Sequence, residues 1–367
     1  MRSLVEIRRT LHAHPELGWA EKRTTALVVE ELTALGLAPR VLDVGTGVVC
    51  DVGPAPAVLL RADLDALPLA DAKDVPYRST VEGVCHACGH DVHTTALIGA
   101  ARLLRAGGGS ARLLFQPAEE VMPGGALAAL SAGVLDGIAA AYALHCDPAL
   151  DVGHVGLRTG PMTAAADLLE VRLTGPGGHT SRPQRTVDLV GALAHVVAEL
   201  PAVLSRAVDP RASLSVVFGS IAAGVAANAI PAHGSARGTV RVFDRDVWHA
   251  AREVVTGAVR ALAAAYGADA EIAYTPGVPP VVNDAAATAV LTRAAESAGG
   301  PGTVVSTAQS LGGEDFGWLL EQVPGAMGRL GVHVPGEPYH DLHQPSFDVD
   351  ERCLDLGAAT LAAAAAN

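Results

Sequence analysis

Residues 85–93 read Cys-His-Ala-Cys-Gly-His-Asp-Val-His, which packs two thiols, three imidazoles and a carboxylate into nine positions. Thiolate and imidazole are the ligands that borderline-soft transition metals take, and Cys88 with His90, two apart in a loop, can aim at one ion. The competing chemistry is a Cys85–Cys88 redox pair, but no second such pair and no thioredoxin-like context surrounds it. Further along stands Gln116-Pro117-Ala118-Glu119-Glu120. Most Glu-Glu pairs are solvated turns; this one ends an apolar β-type run and is followed by Gly124-Gly125, which permits close backbone approach. One carboxylate of such a pair can hold a metal while its neighbour serves as general base toward a water. His145 closes the apolar run 138–144, His343 sits in His-Asp-Leu-His-Gln-Pro, and Asp63 and Asp65 leave another β-type run in Arg-Ala-Asp-Leu-Asp-Ala-Leu-Pro. An Asp so placed can orient a metal-bound imidazole through its other ring nitrogen. Taken singly, His145 reads equally well as a core residue and His343 as a surface one, so the argument rests on the number of ligands together.

These groups need elements to bring them together. Helical periodicity at residues 3–12, 24–35 and 94–105 alternates with β-type runs at 41–52, 58–62, 111–116 and 138–145. That alternation predicts an α/β fold, a mostly parallel sheet with helices on both faces, whose ligands gather beyond the carboxyl ends of the strands. The middle changes character: strand 168–174, helix 187–204, strands 214–221 and 236–243, helix 246–266, strand 270–274. The order β-α-β-β-α-β is that of a ferredoxin-like α+β domain. We therefore expect residues 1–161 and 274–367 to form a metal-binding catalytic domain, with 162–273 inserted into it and a substrate cleft between them.

The balance of charges excludes several classes of function. The 367 residues carry a formal charge of −13, with 18% charged and 4% aromatic residues. With a pI near 5.5 there is no basic stripe to track a phosphate backbone, so no nucleic-acid partner is expected. The mean hydropathy of +0.31 is positive, yet polar residues interrupt every long apolar stretch before about 18 residues, so no membrane span is expected. Arg8, Arg9 and His12 break the apolar core that a secretory signal needs, so a cytoplasmic protein is expected. Five cysteines are an odd number for a disulfide framework. The segment Gly175-Pro176-Gly177-Gly178 lacks a following Gly-Lys-Ser/Thr and is no nucleotide loop.

The stretches RADLDALP, CHACGHDVHTTALIGAARLL, LLFQPAEE, ALH and LHQPSFDVDE together resemble the amidohydrolase branch of the aminoacylase and carboxypeptidase-like metallopeptidases, which includes hippurate and auxin-conjugate hydrolases. IRRTLHAHPELGWAEKRT, GPGGHTSRP, GVAANAIP and GGEDF extend the likeness from about Ile7 to Glu351. The resemblance implies two divalent ions (Zn, Mn, Co or Ni) held by Cys88, His90, Glu120, His145 and His343, with Cys88 bridging. It implies Glu119 as general acid/base, Asp63 beneath the metals, and a lid and dimerisation domain whose His179 polarises the scissile carbonyl and whose Asn228 contacts substrate. The reaction so implied is hydrolysis of N-acyl amino acids or similar small amides by a metal-activated water, in a homodimer or higher homo-oligomer; a dipeptidase of the same fold and a non-catalytic metal-binding relative are the alternatives. Relatives usually carry Met where this chain has Cys85, so that thiol, like Cys146 beside His145, is a candidate for oxidation.

Overall fold

The computed structural model describes residues 1–366; Asn367, the last position of the expected catalytic domain, lies outside them. Ser3 opens the first helix, Leu4–Ala13: its hydroxyl accepts from the Glu6 N–H while the Glu6 carboxylate accepts from the Ser3 N–H, satisfying two donors that a helix start leaves free. Eight strands form one sheet in the spatial order Arg40–Val41, Val48–Val52, Ala111–Gln116, Val58–Asp63, Ala140–Asp151, Gly325–His333, Val155–Leu157, Val304–Ser306. Its centre is parallel, and antiparallel joints occur where Val48–Val52 and Val155–Leu157 enter. The Val-, Leu- and Ala-rich central strands are buried almost without interruption, as strands covered on both faces must be.

Two boundaries differ from the sequence expectation and both matter to the site. The helix expected from 94 starts at His90 and runs to Gly107. Gly89 precedes it with φ +85°, and a Cβ there would meet Cys146 Sγ at 2.6 Å, so only glycine fits. The strand expected to end at His145 continues to Asp151, because Gly325–His333 keeps pairing with it through His333↔Asp151. On its other side the ladder to Val58–Asp63 stops at Arg61↔Ala143, so His145 and Cys146 lie past the end of that ladder.

The chain divides into two compact units: Met1–Met162 with Asn283–Ala308 and the stretch from Asp315 onward, and Thr163–Val282 with Gln309–Glu314. The return falls at Asn283 and not near 274, because the strand Asp269–Val278 stays paired with Ala166–Thr174 as far as Val278↔Ala166. Gln309–Glu314 joins the second unit through the Ala164 N–H, which donates to the Ser310 carbonyl at 3.0 Å. In the second unit the sheet order is Ser215–Ala223, His233–Arg241, Ala166–Thr174, Asp269–Val278, all antiparallel, which is the expected ferredoxin-like arrangement. Leu169, Val171 and Leu173 alternate inward under the helices Leu189–Ala207 and Arg245–Ala264. Leu189–Ala207 is, contrary to expectation, long and apolar enough to cross a membrane. Here it lays Leu189, Leu193, Val196, Leu200 and Leu204 into this unit's core.

Candidate metal centre

The first unit brings five of the predicted ligands together from four segments. Ligand atoms of Cys88, His90 and His145 lie within 4.8 Å of one another, as do those of Cys88, Glu120 and His343, and those of His90, Glu119 and Glu120. Cys88, His90 and Glu120 each belong to two of these groups. His145 Nε2 stands 3.5 Å from Cys88 Sγ. His343, with φ +61°, is held in a conformation that costs a side-chain-bearing residue of the order of 1 kcal/mol. Its N–H donates to the Ala87 carbonyl at 2.7 Å, tying its loop to the Cys88 segment, and its Nε2 lies 3.2 Å from Glu120 Oε1.

The donor set fits divalent cations. His90 is fully buried, yet neither ring nitrogen has a hydrogen-bond partner. An orphaned buried imidazole costs about 1–3 kcal/mol, which a cation on Nε2 would relieve. Burial and the nearby Arg329 hold His145 well below its ordinary value, so it is the neutral imidazole that ligation requires. Burial likewise pushes the Cys88 thiol upward, so a cation must displace its proton. Burial opposes a charged His90, but the charge of Asp63 outweighs it and lifts the group well above its usual value.

Sequence reasoning named Asp63 and Asp65 as carboxylates that could orient an imidazole, but missed the main-chain role of Asp65 and the parts played by Arg61, Asp91, Arg8 and His12. Asp65, 1% exposed, accepts the Glu119 N–H on Oδ1 and the Glu120 N–H on Oδ2, each at 2.9 Å. It is also nearer His90 Nδ1, at 3.4 Å, than Asp63 is, at 3.8 Å. Asp63 instead binds His93 Nδ1 at 2.6 Å and Arg61 Nη1 at 2.7 Å. Arg61 also donates to Gln116 at 3.1 Å and to Asp315 at 2.8 Å, so the buried guanidinium ties the carboxyl ends of two neighbouring strands to the GGEDF segment. Under the first turn of His90–Gly107, Asp91 Oδ2 accepts from Arg8 Nε at 2.8 Å and lies 2.7 Å from His12 Nδ1. The available signal was the spacing of Arg8 and His12, four apart and hence on one helix face. Cys85 and Cys146 are fully buried, and burial raises both thiols, Cys85 to about 11, so neither has the exposed, low-pKa thiolate that oxidation needs.

His179 and Asn228 lie in the second unit, and the structure brings them together there. His179 pairs with Ala229 in a two-stranded ribbon, and the Thr180 N–H donates to the Asn228 carbonyl at 3.2 Å. Both are exposed. The Ser181 N–H donates to His179 Nδ1 at 3.1 Å, so the ring's Nε2 carries the proton and is available to donate.

The chain is similar to known proteins along nearly its whole length. The family model of peptidase family M20/M25/M40 matches residues 59–367. A Rhodococcus jostii (strain RHA1) protein named putative glutamate–cysteine ligase 2-3 is 49% identical over 366 residues, 99% of this chain, which spans only 46% of that relative's length. The N-acetyl-L-cysteine deacetylase of Bacillus subtilis (strain 168) is 38% identical over 360 residues, covering 96% of this chain and 85% of the relative. Among solved structures, a Bacillus subtilis protein described as a dinuclear metal-binding peptidase of the M20 family superposes with a TM-score of 0.86 at 33% identity, covering 99% of this chain and 96% of that one.

Proposed function

The chain belongs to peptidase family M20/M25/M40, and from that premise we propose that it hydrolyses the amide bond of N-acyl amino acids or similar small amide conjugates. The observation that carries the reading is the pair of ligand groups sharing Cys88, with Glu119 in a third group beside Glu120. In this reading Cys88, His90, Glu120, His145 and His343 hold two divalent ions of the Zn, Mn, Co or Ni kind. Bound there, they would polarise the amide carbonyl and acidify a water.

The chain's own residues do the rest. Glu119 accepts the proton of the attacking water and passes it to the leaving nitrogen. Asp65 fixes where both Glu119 and Glu120 start, since each takes one of its oxygens through a main-chain N–H. His179 donates from Nε2 to the carbonyl oxygen as negative charge develops, a contribution typically of a few kcal/mol per donor, and Asn228 contacts the substrate beside it. The working form is cytoplasmic and homodimeric in this reading. The edge strand Ser215–Ala223, with Val217 and Ile221 exposed, supports the homodimer by offering main-chain donors and acceptors to a second copy.

The test is Glu119→Gln, assayed by amine release from N-acetyl, N-benzoyl and longer N-acyl amino acids alongside a dipeptide panel. Turnover is expected to fall at least about 10²-fold, the lower end of what general acid–base groups contribute, with metal content unchanged. Wild-type activity in the variant refutes the role of Glu119. Wild-type turnover confined to dipeptides refutes the substrate class.

A further inference from the structure

His93 stands inside the cluster without being able to serve it directly. It lies three residues after His90 on the same helix, with its ring centroid 5.4 Å from that of His90 and 4.8 Å from that of His145. Distance alone would make it a ligand, since its nearest ring atom lies within 4.8 Å of those of Asp63 and His90. Both its nitrogens are committed elsewhere. Nε2 accepts the main-chain N–H of Cys146 at 2.8 Å, and because an N–H only donates, Nε2 bears no proton. The proton of the neutral ring is therefore on Nδ1, which donates to Asp63 Oδ1 at 2.6 Å. The Cys146 carbonyl lies 2.8 Å from His145 Nδ1, and since a carbonyl only accepts, His145 carries its proton on Nδ1 and keeps the Nε2 lone pair toward Cys88. The Cys146 main chain is thus gripped by an imidazole on each side. It is gripped past the end of the ladder to Val58–Asp63, which stops at Arg61↔Ala143. His93 supplies the acceptor that a further strand residue would have provided, and Asp63, held by Arg61, supplies the fixed point from which it acts.

We propose that His93 is a positioning residue: through the Cys146 main chain it sets the tautomer and aim of His145, and with them the affinity of the cation that His145 holds. This rests on the two-cation reading above and adds to it an unequal dependence of the two sites on a residue that touches neither. Removing the acceptor leaves the Cys146 N–H buried without a partner and frees His145 to turn about its strand. Loss of a group that orients a ligand characteristically weakens metal binding 10–100-fold.

The experiment uses the full chain stripped by chelator and titrated with Co²⁺, read by equilibrium dialysis and by visible absorption. Wild type is expected to take two Co²⁺ per chain. His93→Leu, which neither donates nor accepts, is expected to weaken one site about 10–100-fold, leave the other within about threefold and change the absorption bands of the weakened site. His93→Gln, whose amide oxygen can accept from Cys146 and whose amide nitrogen can donate to Asp63, is expected to restore most of the loss. Two sites weakened equally, no site weakened, or no rescue by Gln would each overturn the proposal. Should His93→Leu not fold, the wild-type ¹⁵N imidazole spectrum decides: a proton on Nδ1 of both His93 and His145 supports it, and an Nε2 proton on either overturns it. Wild type that binds no cation overturns this inference together with the two-cation reading. Wild type that binds two Co²⁺ yet cleaves no amide overturns the proposed function alone.

Discussion

Asp65→Asn is the sharpest perturbation of the acid pair, because it keeps the volume of the side chain and changes only what its two oxygens can do. The carboxylate receives the Glu119 and Glu120 N–H groups on separate oxygens, at 2.9 Å each, in a site 1% exposed. Asn retains one acceptor and turns an NH₂ against the other N–H. The lost charge-assisted bond is worth about 1.5–3 kcal/mol and the stranded donor about 1–3 kcal/mol, so a total of about 2.5–6 kcal/mol is at stake. The protein can relieve part of it only by moving the Glu119–Glu120 turn, which displaces the general base and a ligand together. In the metal-free chain, amide exchange across residues 58–63 is expected to quicken by two to four decades, at 1.4 kcal/mol per decade, if those amides exchange through opening of the first unit. Exchange is preferable to a melting curve here because the two units have separate cores and need not unfold as one. Co²⁺ affinity should fall 10–100-fold and turnover with it. Unchanged exchange together with unchanged Co²⁺ affinity would show that Asp65 does not fix the acid pair.

Other parts of the frame make separate predictions. Gly89→Ala places a methyl 2.6 Å from Cys146 Sγ at φ +85°, so the variant should lose at least about 2 kcal/mol of stability and bind less Co²⁺ at saturation; a chain as stable as wild type would mean that Cys146 can move aside freely. Asp71, buried between His12 and Lys73, has its carboxyl held well below the usual range, where burial is overcome by hydrogen bonds from His12, the Ser79 N–H and Lys73. A depressed folded value means that its stabilisation is complete above the unfolded value of about 3.9 and is lost as pH falls toward the folded one. The Tm gap between wild type and Asp71→Asn should therefore be widest above about pH 5 and close as the pH drops below 4; a gap that is flat over that range refutes the assignment.

Residue types and local periodicity determined much of this protein without its coordinates. Thiol, imidazole and paired carboxylates at the ends of β-type runs mark a metal site whatever their distances, because ligand chemistry belongs to the side chain. The β-α-β-β-α-β order of the second unit was legible for a similar reason: alternation with period two and helical periodicity are local patterns, and the strand Ala166–Thr174 displays one of them plainly. His343 shows where local reading stops. It is a half-exposed residue in a loop, and only the approach of its loop to Ala87 and Glu120 makes it a partner of Cys88.

What tertiary structure decided is which polar group answers which. Asp63 and Asp65 are two residues apart on one strand end, and nothing local says that one reaches His93 while the other takes both glutamate N–H groups. In the sequence His93 is only one more imidazole of residues 85–93; its partner exists because the ladder beside His145 ends at Ala143 and leaves the Cys146 main-chain N–H for it to accept. The extent of the second unit followed the same rule, since whether the chain leaves the sheet at 274 or at 278 depends on a partner strand more than a hundred residues away. Side-chain chemistry is carried by each residue, but a hydrogen-bond partner is supplied by the fold, because a buried donor or acceptor must be satisfied by whatever the chain brings to it.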